Sequence, residues 1–137
     1  MNDEMIRTGT DNPHPPYHLT LNVEKEYLMA RASGSRTRAV VSSLVMEISN
    51  AAIQNQRGKV LIDVRELQGW LGVFDSYYIV TKDFHQLRGK GIVKAAIVDR
   101  PLPKMREMFF QTVSHNRGFN LRIFEDPEAA LPWLLGS

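Results

Sequence analysis

The run KVLIDVRELQGWLGVFDSYYIVTKDFHQL, residues 59–87, carries the chain from a strand through a loop into a helix. Val60-Leu61-Ile62 is a short, continuous apolar stretch ending in Asp63, the pattern of a central strand covered on both faces. Arg65 to Val73, with Gly69, Trp70 and Gly72, reads as the connecting loop. A helix is expected from Phe74 or Asp75 to Leu87, with Phe74, Tyr77, Tyr78, Val80, Thr81, Phe84 and Leu87 marking its inward side. Asp75 and Ser76 fall at its start. Either residue type suits a helix cap there, and the free amides and helix dipole favour negative charge.

Outward from this stretch the pattern repeats. Upstream, Tyr17, Leu19, Leu21 and Val23 alternate with polar residues, the period-2 signature of a half-buried strand. A polar turn, Glu24-Lys25-Glu26, separates it from a second strand over Tyr27 to Ala32, and the two pair as an antiparallel hairpin. Ser33-Gly34-Ser35 supplies candidate N-caps for a long helix from about Arg36 to Gln56, in which Val40, Val41, Leu44, Val45, Ile48 and Ala52 recur at helical steps. Gly58 is placed to end that helix. Downstream, Arg88-Gly89-Lys90-Gly91 precedes an apolar strand over Ile92 to Val98, and Asp99-Arg100-Pro101-Leu102-Pro103 is a turn. A helix over Lys104 to Asn116, a strand over Phe119 to Phe124 and a short helix opening at Glu125-Asp126-Pro127 complete the chain. The implied order is ββαβαβαβα: an α/β fold with a mixed, mainly parallel sheet, an N-terminal antiparallel hairpin and about four helices.

The 137 residues fit one domain, expected over residues 17–137 behind a flexible tail over residues 1–16, where Pro13, Pro15 and Pro16 lack amide donors. Composition is that of an ordinary globular protein, 43% hydrophobic and 23% charged, and a formal charge of +2 with scattered Lys and Arg gives no electrostatic footprint for nucleic acid. No apolar run reaches the ~20 residues of a membrane span, and the polar start beginning with acids predicts no secretory signal. The absence of cysteine removes disulfides, thiolate metal sites and Cys nucleophiles. A cytoplasmic location follows as the expectation.

Catalytic constellations are missing. His14, His18, His85 and His115 share no metal-ligand spacing. Nucleophile-elbow, phosphate-loop and dinucleotide-binding glycine patterns do not occur. Ser33-Gly34-Ser35-Arg36 has the makings of an anion cradle, but capping explains it more simply. No enzyme activity, cofactor or metal is therefore expected.

The element order, with VLIDVREL (residues 60–67), FDSYYIVTKDF (74–84) and NLRIFEDPEAALPWL (120–134), resembles the STAS family (sulfate transporter and anti-sigma factor antagonist), in its SpoIIAA-like branch. The likeness spans about residues 17 to 135. In that family's regulatory members a strand ending in Asp leads to Asp-Ser-Ser-Gly at a helix start, and a partner kinase that doubles as an anti-sigma factor phosphorylates the first serine. The resemblance thus implies a bacterial, non-enzymatic regulatory protein-interaction module. Asp63 matches the strand-end acid, Asp75 the motif acid and Ser76 the phosphorylated switch; Tyr77-Tyr78 stand where the family has Ser-Gly.

Some SpoIIAA-like domains also resemble the lipid-carrying CRAL-TRIO fold, so a carrier or sensor of an apolar small molecule is the alternative. Trp70, Leu71, Val73, Phe74, Tyr77 and Tyr78, with Met105, Met108, Phe109 and Phe110, are the candidate lining. Phe109 and Phe110 point about 100° apart on a helix, so one of them meets another element or a second subunit, and a homodimer is one arrangement compatible with that.

Overall fold

The computed structural model describes residues 4–8, 17–84, 87, 89–101 and 120–136. Among them, six strands form one sheet: β1 (Glu4–Thr8), β2 (Tyr17–Val23), β3 (Leu28–Ser35), β4 (Lys59–Gln68), β5 (Lys94–Val98) and β6 (Leu121–Phe124). Helix α1 (Arg38–Gln54) links β3 to β4, α2 (Val73–Tyr78) follows β4, and α3 (Pro127–Leu135) follows β6. The strands lie side by side in chain order, with β1, β2 and β3 antiparallel in turn and β3 to β6 parallel. The expected mainly parallel sheet with an opening hairpin is thus the observed one. The helix read over Lys104 to Asn116 lies outside the described residues, as do His14, His85 and His115.

Alternation along the strands divides the core. On one face Leu19, Leu21, Leu28, Ala30 and Val60 pack against Val40, Leu44, Ile48 and Ala52 of α1. Further along the same face, Ala95 and Leu121 meet Ile79, Val80, Phe84 and Leu87 from the segment after β4. The opposite face of β4 and β5, through Leu61, Ala96 and Val98, is covered by Ala130 and Leu134 of α3. Strands β4 and β5 are therefore covered on both sides, which is why their sequences read as continuous apolar runs.

Several boundaries differ from the sequence reading for local reasons. Within the stretch read as a tail, Glu4–Thr8 pairs along the outer edge of β2, filling backbone donors and acceptors that an open edge would leave to water. Strand β3 continues to Ser35, so the helix cap passes to Thr37, whose hydroxyl accepts from the Val40 amide at 3.2 Å. Helix α1 ends short of Gly58: its last residue is Gln54, Asn55 is the C-cap, and Gln56 takes the left-handed conformation (φ 56). Arg57 N–H bonds to Ala52 O and Gln56 N–H to Ile53 O, the pair of bonds of a Schellman ending. Gly58 serves instead a close approach: a Cβ there would lie 2.9 Å from the Gly91 carbonyl oxygen.

Strand β4 also outruns its expected end at Asp63, because Glu66–Gln68 keep pairing with β3 past a register shift between Arg31 and Ser33. Leu28, at 0% exposure, lies at the centre of the α1-side core. Leu28→Ala is expected to lower stability by roughly 2–5 kcal/mol, measured by urea denaturation monitored by circular dichroism; a loss below about 1 kcal/mol would contradict this packing.

Candidate functional site

Three parallel strands bring their carboxyl ends together, and the residues just beyond them form a cluster. Arg36 follows β3, Gly69 and Trp70 follow β4, and Asp99 and Arg100 follow β5. The Arg36 guanidinium donates to both Asp99 carboxylate oxygens, at 2.7 and 3.0 Å, with side chains only 10% and 5% exposed. It also donates to the carbonyls of Val64 at 3.1 Å and Leu67 at 3.4 Å. Arg100 donates to the carbonyls of Leu67 at 2.7 Å and Gly69 at 3.2 Å. Gly69 makes its turn at φ 83, a region costly for side chains with a Cβ. The residue after that turn, Trp70, has its ring within cation–π distance of both guanidinium groups, at 4.7 Å from Arg36 and 4.5 Å from Arg100.

Beneath this cluster lies a cavity of about 410 Å³ between the sheet and the helices on its α1 side. Among the described residues its wall is mostly apolar, drawn from α1 (Val41, Val45), the sheet (Ile62, Ile97) and the segment after β4 (Leu71, Ile79). Arg36, Asp99, Ser49 and Ser76 supply the polar edge, and Trp70 closes part of the rim.

Helix α2 is short and passes straight into a π turn, Ile79–Asp83, in which Phe84 N–H reaches back to Ile79 O at 3.0 Å. Thr81 Oγ1 donates to Tyr77 O, four residues back. Asp83 is buried and accepts from Ser42 Oγ of α1 at 2.7 Å, which fastens the π turn to α1. With the extra residue, Ile79, Val80, Asp83 and Phe84 are all buried. The preceding turn is left facing outward.

The expected inward positions are accordingly corrected. Phe74 is 91% exposed, and Tyr77 and Tyr78 are also exposed. Helix α2 begins at Val73, with Gly72 as its N-cap and no side-chain cap bond, so Phe74 falls in its exposed first turn. Asp75 and Ser76 are therefore not caps. Asp75 lies 3.8 Å from Arg38, whose guanidinium also stacks 4.3 Å from the Tyr78 ring. Ser76 is half-buried, its amide donates to Gly72 O, and it lines the cavity. Of the lining proposed from sequence, Trp70 and Leu71 belong to the wall, Phe74, Tyr77 and Tyr78 project to solvent, and Met105, Met108, Phe109 and Phe110 lie outside the described residues.

Asp63 does not join Asp75 and Ser76. Ile62 and Val64 line the cavity, so Asp63 faces the other side of the sheet, with Leu61. It is 3% exposed and accepts from Arg65 at 3.0 and 2.7 Å and from the Arg65 amide at 3.1 Å, with Arg31 at 3.6 Å. Burial alone would raise its pKa; the Arg65 hydrogen bonds and the charges of Arg65 and Arg31 outweigh this and hold it below the usual 3.8. The sequence reading missed the pairing of Arg36 with Asp99 because each was taken as loop chemistry. The signal available was an Arg and an Asp each placed directly after an apolar strand.

No protein-family model matches the chain, and no curated protein matches its sequence. Solved structures do match. A crystal structure of an uncharacterized protein of the DUF3478 family with a SpoIIAA-like fold, from Shewanella loihica PV-4, aligns over 98% of this chain and 96% of its own at 18% identity, with a TM-score of 0.54. The fold is SpoIIAA-like. An anti-sigma factor antagonist from Mycobacterium paratuberculosis shares this fold, at 14% identity over 86% of this chain and 93% of that one, with a TM-score of 0.56. Among the described residues of the SpoIIAA-like chain, no group of three His, Asp or Glu converges as a metal site, and no helix is long and apolar enough to cross a membrane.

Two outcomes test these assignments. Asp99→Asn is expected to cost about 3–5 kcal/mol of stability, since it leaves the buried Arg36 without its countercharge; urea denaturation at neutral pH measures it. For Asp63, whose folded pKa is lowered, the contribution to stability is fully present above its unfolded value near 3.8 and is lost as pH falls below it. Asp63→Asn should accordingly flatten the fall of stability with pH between about 5 and 3, read from denaturation midpoints at each pH. Parallel curves for wild type and variant would contradict the ion cluster.

Proposed function

We propose that the protein is a non-enzymatic regulatory module of the cytoplasm that acts by binding another protein through α2. The observation that carries this reading is Phe74, 91% exposed at the head of α2, with the half-exposed rings of Tyr77 and Tyr78 beside it. Large aromatic side chains concentrated on one exposed turn are uncommon on a surface with no partner, and they are typical anchors of protein interfaces. The shared fold of the mycobacterial anti-sigma factor antagonist supports a partner of the same kind, a regulatory kinase or anti-sigma-like factor.

Ser76 is the candidate switch within this surface. A phosphoryl group there would be placed beside Asp75 and against the cavity wall, and both repulsion and desolvation would push α2 outward. The alternative reading, a carrier or sensor of an apolar small molecule, is favoured by one observation of its own, the cavity of about 410 Å³ beneath Trp70 and Leu71.

The test is an affinity capture from extract of the source organism with wild type, Phe74→Ala and Ser76→Asp, each checked for folding by circular dichroism. A kinase or anti-sigma-like protein recovered with wild type should bind Phe74→Ala at least about tenfold more weakly, and Ser76→Asp should release it. Equal recovery by all three proteins would rule out α2 as the contact and Ser76 as the switch.

A further inference from the structure

We infer that the cavity takes an uncharged amphiphile, its apolar body filling the chamber and its one hydroxyl or carbonyl group meeting the Ser49 hydroxyl. The inference rests on the apolar-ligand reading above and specifies the chemistry of its ligand. Its basis is a buried hydroxyl with no partner.

Val41, Leu44, Val45, Ile48 and Ser49 line the cavity from α1, at the spacing of one helix face. Four of them are apolar. Ser49 is the exception, and it is only 4% exposed. A serine or threonine inside a helix commonly returns its hydroxyl to the carbonyl four residues back, as Thr81 does to Tyr77. The Ser49 hydroxyl does not: it makes no hydrogen bond among the described residues. A hydroxyl held away from water without a partner is costly, and the space that Ser49 borders is the cavity. Ser76, the other serine of the wall, is half-buried and keeps access to water.

The charged groups of the wall are already engaged. Among the described residues these are Arg36 and Asp99. Both Asp99 oxygens accept from Arg36, and one accepts from the Arg100 amide as well. The terminal nitrogens of Arg36 are taken by Asp99 and by the carbonyls of Val64 and Leu67, and its Nε is buried out of a ligand's reach. An ionised head would lose its water here and gain no countercharge, a heavy cost in a chamber walled by Val, Leu and Ile. Ser49 stands away from the Arg36–Asp99 pair. Because α1 joins two parallel strands it runs back along the sheet, and it carries Ser49 about 16 Å from the helix start at Arg38. At that end of the sheet Val60, Ala95 and Leu121, early residues of β4, β5 and β6, line the cavity. A neutral hydroxyl or carbonyl placed there needs only the hydrogen bond that Ser49 can make.

The probes are octan-1-ol and octanoate, equal in chain length and different at the head, titrated by calorimetry at neutral pH into the full chain, wild type and Ser49→Ala. Octan-1-ol is expected to bind wild type at least about tenfold tighter than octanoate. Ser49→Ala should weaken octan-1-ol about fivefold and leave octanoate unmoved. Alanine suits a helix interior and removes a hydroxyl that bonds to nothing, so without ligand the variant should melt no lower than wild type. Nuclear Overhauser contacts from the octyl chain to the Val41 and Val45 methyl groups should place the probe inside the chamber. Octanoate binding as tightly as octan-1-ol would overturn the uncharged head. An unchanged octan-1-ol affinity in Ser49→Ala, or a lower melting temperature of that variant, would overturn the role of Ser49. Both results leave an apolar site in place. If neither probe binds wild type, or the contacts to Val41 and Val45 are absent, the apolar-ligand reading falls with it.

Discussion

Between the Arg36 guanidinium and the Asp99 carboxylate, two charges are held out of water at the carboxyl ends of three parallel strands, and much of the molecule's upper rim is fixed by that arrangement. Arg36 enters from the end of β3, binds two carbonyls of β4, and closes on the residue that follows β5. A buried pair of this kind adds little net stability compared with apolar packing, because desolvation offsets most of the attraction. What it provides is alignment. The guanidinium is planar with donors in fixed directions, so the strand ends it joins are set in one relative position, and the Trp70 ring lies close to both Arg36 and Arg100.

The two faces of the sheet then carry different chemistry. The α3 side is closed by close packing around Leu61, Ala96 and Val98, and its ionic cluster of Asp63 with Arg65 and Arg31 lies at the surface of that layer. At the far end of the α3 side the Lys94 ammonium donates to the Trp133 carbonyl and stacks on the Trp133 ring, tying the last helix to β5. The α1 side is closed less completely. Small residues of β5 there, such as Ala95, leave room under the segment after β4, and that room is the cavity. One sheet thus has a filled face and a hollow one.

How much of this could be read from the residues depends on the range of the interactions involved. Strand β2 and helix α1 were legible because one-sided burial imposes a period on the sequence, as Leu19, Leu21 and Val23 or Val40, Leu44 and Ile48 show, and β4 and β5 because two-sided burial leaves continuous apolar runs. Their ends were not: β4 runs on to Gln68 by pairing with a distant strand, β3, and α1 stops after Gln54 where Gln56 adopts a left-handed backbone that the sequence marks with no glycine. The site was half legible. Trp70 and Ser76 were picked out from the right stretch, but Asp63 was grouped with them although strand alternation turns it to the other face. Arg36 and Asp99 are 63 positions apart, and nothing in a periodic pattern reports such a pairing.

The π turn after α2 also bears on how this chain can change by insertion and deletion. One surplus residue between Ile79 and Asp83 sets the phase between the outward turn carrying Phe74 and the buried turn carrying Phe84. Loss of a single codon in that stretch would restore regular helix and swing the two turns by about 100° relative to each other. With the buried half fastened through Asp83 to Ser42, the swing would fall on the aromatic half, moving Phe74 around the helix axis. Length at this point, as much as residue identity, therefore sets which way α2 presents its rings.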